Sequence, residues 1–166
     1  MADLTLEGTV IPIASTAAVR LTAGIDVSEY PDSAFSESGI MEDLEIDLKE
    51  WLGEADLNYV TIIGLGGAAN AAPDARQDFL NLKKYAKYKL SMFILNSMGL
   101  GFAKELSDGQ DSFKRFAKDQ EEVLSRLEQV AEEAKAAILS AHNADRDFNL
   151  SPLSGVGNDY DPVTGS

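Results

Sequence analysis

Apolar residues recur every three or four positions over most of the chain, which is the spacing of one face of an α-helix. Ser15 and Gly24 suit the N-cap and C′ positions of a short helix over residues 16–22. A second helix is predicted to begin between residues 33 and 36 and to end at Leu52, before Gly53. Its core-facing arc consists of Met41, Leu44, Leu48, Trp51 and Leu52.

The second half of the chain predicts two longer helices. Pro73 suits the first turn of a third helix, and the glycines at positions 99 and 101 predict its end near residue 98. Apolar residues on two of its faces predict packing between partners. One face carries Phe79, Leu82, Ala86, Leu90 and Phe93, and the other carries Tyr85, Tyr88, Met92 and Leu95. The fourth helix, over residues 110–142, has a stripe of Phe113, Phe116, Gln120, Leu124, Leu127, Ala131, Ala134, Ile138 and Ala141.

Three segments lack this helical period. Residues 1–14 are predicted to form an extended arm, because Pro12 argues against a central strand. Residues 53–73 are rich in Gly and Ala and predict a loop or short hairpin, with one short strand at 59–63. Residues 147–166 hold too little apolar surface for a core and predict an extended tail. The predicted fold is therefore mainly α, a bundle of about four helices over residues 15–146 with a long C-terminal helix, an N-terminal arm and a C-terminal tail.

The segment Val60-Thr61-Ile62-Ile63-Gly64-Leu65-Gly66-Gly67-Ala68-Ala69 contains G-x-G-x-x-A, the fingerprint of a dinucleotide-binding fold. That motif requires a strand, a helix and an acidic residue about twenty positions later. Lys84 occupies the acidic position, and Pro73 would interrupt the phosphate-binding helix. We therefore expect no nicotinamide or flavin site, and no cofactor.

Composition and charge exclude several function classes. The 166 residues include no cysteine and one histidine, His142, so neither a thiolate nucleophile nor a zinc site has enough ligands. His142 is expected to be exposed near the end of the fourth helix. No apolar run is long enough for a membrane span, and the N-terminus lacks the basic region of a signal peptide. We expect neither an enzyme nor a membrane protein.

The net charge of −14 is unevenly distributed along the chain. Residues 1–56 carry 13 acidic and two basic residues, whereas residues 57–106 carry three acidic and six basic ones. An acidic surface repels nucleic acid, so tight DNA binding is not expected. Two charged stripes stand out at helical spacing. The acidic stripe is Asp43, Asp47, Glu50 and Glu54, and the basic stripe is Arg76, Lys83 and Lys87.

Each stripe has two interpretations at this stage. The acidic stripe is either a solvated helix face or a surface presented to a partner or a channel. The basic stripe pairs either within the chain or with a neighbouring copy. Ile46 lies among the polar positions of the second helix and is expected to be a single exposed apolar residue.

The C-terminal tail has the pattern of a docking segment. Apolar residues occur in it every two to four positions among Gly, Asp and Pro, and extended segments of this kind bind partners by strand addition or in grooves. The predicted anchors are Phe148, Leu150, Leu153, Val156, Tyr160 and Val163.

The order of these parts resembles the head-tail adaptor proteins of tailed bacteriophages, also called connector or head-completion proteins. The parts are a short helix with the sequence VRLTAGI at 19–25, an acid-rich helix ending in WLG at 51–53, a Gly/Ala connection and two long helices. The resemblance covers roughly residues 15–143 and rests on layout. The longer N-terminal arm and the Gly-rich segment at 53–73 depart from the family pattern.

The resemblance implies a structural protein of the virion neck without catalytic residues, assembled in the host cytoplasm. Its subunits would form a dodecameric ring that binds the portal protein and an adjoining neck or tail protein, and DNA would pass through without specific binding. Two alternatives stay open, another neck component such as a head-closure protein and an acidic DNA-mimic inhibitor.

Overall fold

The computed structural model describes residues 2–53, 58–105 and 110–149, with side chains described for 2–53, 58–98 and 121–142. The predicted mainly α class is confirmed. The described part of the chain contains six helices, whereas about four were predicted. They are α1 (Thr16–Ala23), α2 (Asp32–Glu37), α3 (Ile40–Trp51), α4 (Tyr59–Gly66), α5 (Pro73–Glu105) and α6 (Gln110–Asn149).

The N-terminal segment folds back on the bundle instead of extending away from it. Strand β1 (Asp3–Leu4) pairs antiparallel with β2 (Ala14–Ser15), with Leu4 opposite Ala14. Leu6 and Ile13 are 2% and 0% exposed and belong to the same core as the helices. The sequence analysis separated residues 1–14 from the bundle, whereas residues 4–14 contribute to its interior.

Helix α1 forms as predicted because both of its ends are capped. The Ser15 hydroxyl accepts a hydrogen bond from the backbone N–H of Ala18 at 3.3 Å. Gly24 ends the helix with a φ of 73°, a left-handed conformation that glycine adopts without steric cost. The helix runs one residue beyond the predicted end, to Ala23.

The second predicted helix is in fact two, α2 and α3. Gly39 separates them with a φ of 73°, and a helix cannot continue through this left-handed residue. The predicted core arc of α3 is confirmed at Leu44, Leu48 and Leu52, which are buried. Its remaining members, Met41 and Trp51, are partly buried against the core.

The strand predicted at residues 59–63 is wrong, because these residues begin helix α4. The Asn58 side chain accepts a hydrogen bond from the backbone N–H of Thr61 at 2.8 Å and so caps the helix. A short apolar run fits a buried strand and a buried helix equally well, so periodicity could not decide between them. Residues 53–73 are therefore neither one continuous loop nor a hairpin.

Helix α5 is the centre of the bundle and packs against α1, α3, α4 and α6. Pro73 is its first residue, as predicted. The helix continues through Gly99 and Gly101 to Glu105, so the break expected near residue 98 is wrong. A glycine inside a helix costs only about 1 kcal/mol relative to alanine, which neighbouring helical turns can offset. Packing on two faces is confirmed, since Leu82 and Tyr85 are both fully buried.

Helix α6 spans 40 residues, which corresponds to about 60 Å. Of its predicted stripe, Leu127, Ala131, Ala134 and Ile138 are buried and Leu124 is partly buried, whereas Ala141 is exposed, contrary to the prediction. The side chains of Phe113, Phe116 and Gln120 lie outside the described ones. The predicted end at residue 142 is wrong, because the helix continues to Asn149. Across the described residues, no helix combines the length and apolarity needed to cross a lipid bilayer.

Candidate interaction surfaces

Three lysines of α5 meet at one cavity, which we call the basic surface: Lys83, Lys84 and Lys87. The cavity has a volume of about 420 Å³ and is also lined by residues of the N-terminal segment and α1. Lys83 Nζ lies 5.3 Å from the ring centroid of Phe79, and Lys87 Nζ lies 4.7 Å from that of Tyr88. None of the three ammonium groups forms an ion pair with a carboxylate of the described side chains.

The basic stripe of the sequence analysis is partly preserved. Lys83 and Lys87 lie together, but Arg76 is exposed and is not among the residues that line the cavity. Lys84 was not predicted to join them, since it follows Lys83 by about 100° around the helix. The N-terminal segment closes the cavity from about 70 to 80 residues away in sequence, and helical spacing carries no signal for that contact.

The acidic stripe of α3 is split by the fold. Asp43 and Glu50 are exposed, whereas Asp47 is partly buried and faces α5. The hydroxyl of Tyr85 donates a hydrogen bond to Asp47, and Lys89 Nζ lies 3.0 Å from Asp47 Oδ1. Neither interpretation of the acidic stripe therefore applies to Asp47, because its charge is paired within the chain. Glu54, the fourth predicted member, lies outside the described residues.

The exposed part of α3 is a different group, which we call the acidic surface: Glu42, Asp43 and Glu50 around Ile46. Ile46 is 65% exposed, which confirms the expectation of an exposed apolar residue. Glu42 and Asp43 also lie in the first turn of the helix, where negative charge favours the positive end of the helix dipole.

The contacts of Asp47 belong to a cluster that joins three helices. Burial raises the pKa of the Tyr85 phenol far above its usual range, and the hydrogen bond to Asp47 acts in the same direction. The Trp51 ring meets the Tyr85 ring edge to face, with centroids 5.0 Å apart. Lys135 of α6 lies over Trp51 at 5.5 Å. This cluster fixes α3 and α6 against α5, and its carboxylate is already neutralised by Lys89.

A buried arginine holds α1 against the α2 region. Arg20 is 7% exposed, lies 2.7 Å from Asp32 and donates to the carbonyl oxygen of Tyr30 at 3.1 Å. Hydrogen bonds from Thr16 and Arg20 hold the pKa of Asp32 well below its usual range. The guanidinium also lies 5.7 Å from the ring centroid of Phe35. Because the charge is paired and hydrogen-bonded, its role is to position these elements.

His142 is paired, contrary to the prediction of a solvent-facing residue. Its Nε2 lies 3.1 Å from Asp78 Oδ2 across the α5–α6 contact, beside a cavity of about 490 Å³. The cavity is lined by Asp74, Gln77, Asp78, Asn81, Ala137, Ser140, Ala141 and His142. In the described part of the chain, no group of three or more His, Cys, Asp or Glu side chains has a geometry that could hold a metal ion.

The G-x-G motif is explained by the packing of α4 on α5. A Cβ atom at Gly66 would overlap the carbonyl oxygen of Ala75 and the Cβ of Phe79. A Cβ atom at Gly67 would lie 2.6 Å from Ile11 Cδ1. Gly66 therefore allows α4 and α5 to approach closely, and Gly67 leaves room for Ile11 of the N-terminal segment. The residues before these glycines form helix α4, where a dinucleotide-binding fold requires a strand.

Helix α6 includes residues 147–149, the first three of the predicted docking tail. Phe148 lies within the backbone of α6, which ends at Asn149. The other predicted anchors lie outside the described residues: Leu150, Leu153, Val156, Tyr160 and Val163. Their docking role stays a prediction.

Comparison of the chain with protein-family models, curated proteins and solved structures found no match. The resemblance to phage adaptor proteins therefore rests on the layout of the sequence alone.

Proposed function

We propose that this chain is a structural subunit that assembles with copies of itself into an adaptor ring of a phage neck. The observation that carries the proposal is that the chain bears a basic surface without an ion-pair partner among the described side chains and a separate, exposed acidic surface. The basic surface of one copy is therefore complementary in charge to the acidic surface of another copy. A charge pattern of this kind favours partner surfaces of opposite sign and suppresses wrong ones.

The two surfaces face different directions, which determines the type of assembly they favour. Lys89 contacts α3 through Asp47, and Lys87 lies roughly 200° around α5 from Lys89. The basic surface therefore lies on the side of α5 away from α3. Contact between two different surfaces is heterologous, and repetition closes into a ring when the rotation between subunits allows it.

The adaptor role also fits the remaining charge. A net charge of −14 repels DNA phosphates, so a channel lined by surplus carboxylates would let DNA pass without retaining it. In the virion, the proposed ring binds the portal protein on one side and an adjoining neck or tail protein on the other. A head-closure protein of the same neck is the alternative. A DNA-mimic inhibitor is less well supported, because its carboxylates should cover a surface that the three lysines interrupt here.

The first experiment measures self-association. We expect the purified chain to form oligomers that electron microscopy shows as rings, and Lys83→Glu with Lys87→Glu to weaken them. The matched control is Arg76→Glu with Arg126→Glu, which makes the same change in charge at exposed positions. Association should also weaken with salt, because exposed ion pairs are screened. Equal association of both double variants would contradict the role of the basic surface.

The second experiment tests attachment to the neck. Deleting residues 150–166 leaves every described helix intact, so helicity and thermal stability should change little. Binding to purified portal rings, measured by co-sedimentation, should be lost if the predicted tail anchors dock there. Unchanged binding of the truncated chain would show that the tail is not the docking element, and absence of binding by the full chain would contradict the portal as partner.

A further inference from the structure

Ile46 is an apolar side chain surrounded by acidic ones. It is 65% exposed near the middle of α3. Glu42 and Asp43 precede it by four and three residues, and Glu50 follows it by four. At this spacing all three lie beside Ile46 on the helix surface. Lys49 is also close, but it lies 3.8 Å from Glu45 of its own chain. Ile46 with these three carboxylates is an apolar projection with a negative rim.

The cavity beside the basic surface has the inverse pattern. Pro12, Ile13, Ala18 and Leu80 give it an apolar lining, and Leu80 is 50% exposed. Lys83, Lys84 and Lys87 form its charged rim, and Asp3 is the one carboxylate among the described residues that line it. Its volume of about 420 Å³ lies in the range of pockets that accept small molecules, so one branched side chain with part of its helix has room to enter.

The projection cannot fill this cavity within its own chain, because no residue of α3 lines it. We infer that Ile46 of one copy inserts into the cavity of the next copy, with the acidic surface pairing with the rim lysines. This inference rests on the proposed self-association and names its contact. Burial of Ile46 and Leu80 supplies affinity, while three carboxylates facing three ammonium groups fix the orientation. An apolar projection entering a cavity elsewhere on the same molecule makes a heterologous, repeating contact.

Cysteine cross-linking tests the contact directly, because the natural chain contains no cysteine. Chains with Ile46→Cys are mixed with chains with Leu80→Cys and oxidised gently. A disulfide between the two variants is expected, and the double variant should give a ladder of covalent oligomers. The control mixes Leu80→Cys with Val123→Cys, since Val123 is 42% exposed on α6. Cross-linking of the control pair to the same extent, or only between identical variants, would overturn the inference.

Affinity provides the second measurement. Ile46→Ala should weaken self-association roughly tenfold to hundredfold, as expected for an isoleucine that becomes buried on binding. Exchanging the charges by Asp43→Lys and Glu50→Lys should restore association to the variant with Lys83→Glu and Lys87→Glu. These positions are exposed or partly exposed, so circular dichroism should show each variant folded.

The outcomes separate this inference from the proposed function. If Ile46→Ala forms rings with wild-type affinity and the 46–80 disulfide does not form, the contact is overturned but the proposed ring assembly stands. A chain that stays monomeric and joins no neck component would overturn both. A 46–80 disulfide in a chain that binds no portal would support the contact and contradict the adaptor role.

Discussion

The substitution Gly66→Ala tests whether α4 and α5 approach as closely as described. Gly66 is buried, and an added Cβ would overlap the carbonyl oxygen of Ala75 and the Cβ of Phe79. A backbone carbonyl inside a helix cannot rotate away, so the two helices would have to separate. Gly64 offers a matched control in the same helix, because nothing lies within 4 Å of a Cβ built there.

The expected magnitude follows from two opposing effects. Overpacking of a close contact costs about 1–3 kcal/mol, and a clash with backbone belongs at the upper end of that range. Alanine gains about 1 kcal/mol over glycine within a helix. Gly66→Ala should therefore lower the free energy of unfolding by about 2 kcal/mol, whereas Gly64→Ala should raise it by up to about 1 kcal/mol.

Thermal unfolding followed by circular dichroism measures both variants under the same conditions. For a chain of this size, 1 kcal/mol shifts the Tm by about 2–4 °C. We expect Gly66→Ala to lower the Tm by about 4–8 °C and Gly64→Ala to raise it slightly. If Gly66→Ala were as stable as Gly64→Ala, the two helices would not be in close contact, and the packing explanation of the G-x-G motif would be wrong.

Three further predictions concern individual residues. Gly39→Ala should lower the free energy of unfolding by about 1–2 kcal/mol in chemical denaturation, because Gly39 has a left-handed φ, although nothing crowds an added Cβ there. Gly39→Asn should lower the free energy of unfolding by less, because asparagine adopts this conformation more readily than alanine. The depressed pKa of Asp32 contributes stability above about pH 4 that is lost as pH falls, so the acid side of a stability–pH profile should flatten in Asp32→Asn. Tyr85→Phe should cost about 1–3 kcal/mol by removing the hydrogen bond to Asp47. Because burial raises the pKa of Tyr85, the wild type should also lose stability above about pH 10, and this loss should be smaller in Tyr85→Phe.

Elements that depend on capping residues or on regular apolar spacing could be predicted from the sequence. Helix α1 was predicted from Ser15 and Gly24, and both caps are present. The buried stripe of α6 was predicted from spacing alone. The same reasoning failed at Gly39 and at Gly99, for opposite reasons. A single glycine breaks a helix when its φ becomes positive and is tolerated when it stays helical, and composition does not reveal which applies.

The interaction surfaces were harder to predict because they depend on contacts distant in sequence. Asp47 has the same helical spacing as Asp43 and Glu50, yet it pairs with Lys89, 42 positions later. His142 was predicted to be solvent-facing, but Asp78 lies beside it across two helices. Lys83 and Lys87 were identified from spacing, whereas the cavity beside them needs the N-terminal segment to fold back. Helical periodicity describes one element at a time and contains no information about such partners.

The contact between α1 and α5 has a consequence for synthesis on the ribosome. The Ser91 hydroxyl donates to the carbonyl oxygen of Val19 at 3.0 Å, across 72 positions of sequence. At about 5–20 residues per second, the N-terminal segment and α1 wait on the order of 4–14 s for this part of α5 to be made. During that interval Ile13, which lines a cavity together with Leu80 of α5, lacks that helix, so the nascent chain presents apolar surface to chaperones. Helix α6 adds only afterwards, by pairing with the helix that immediately precedes it.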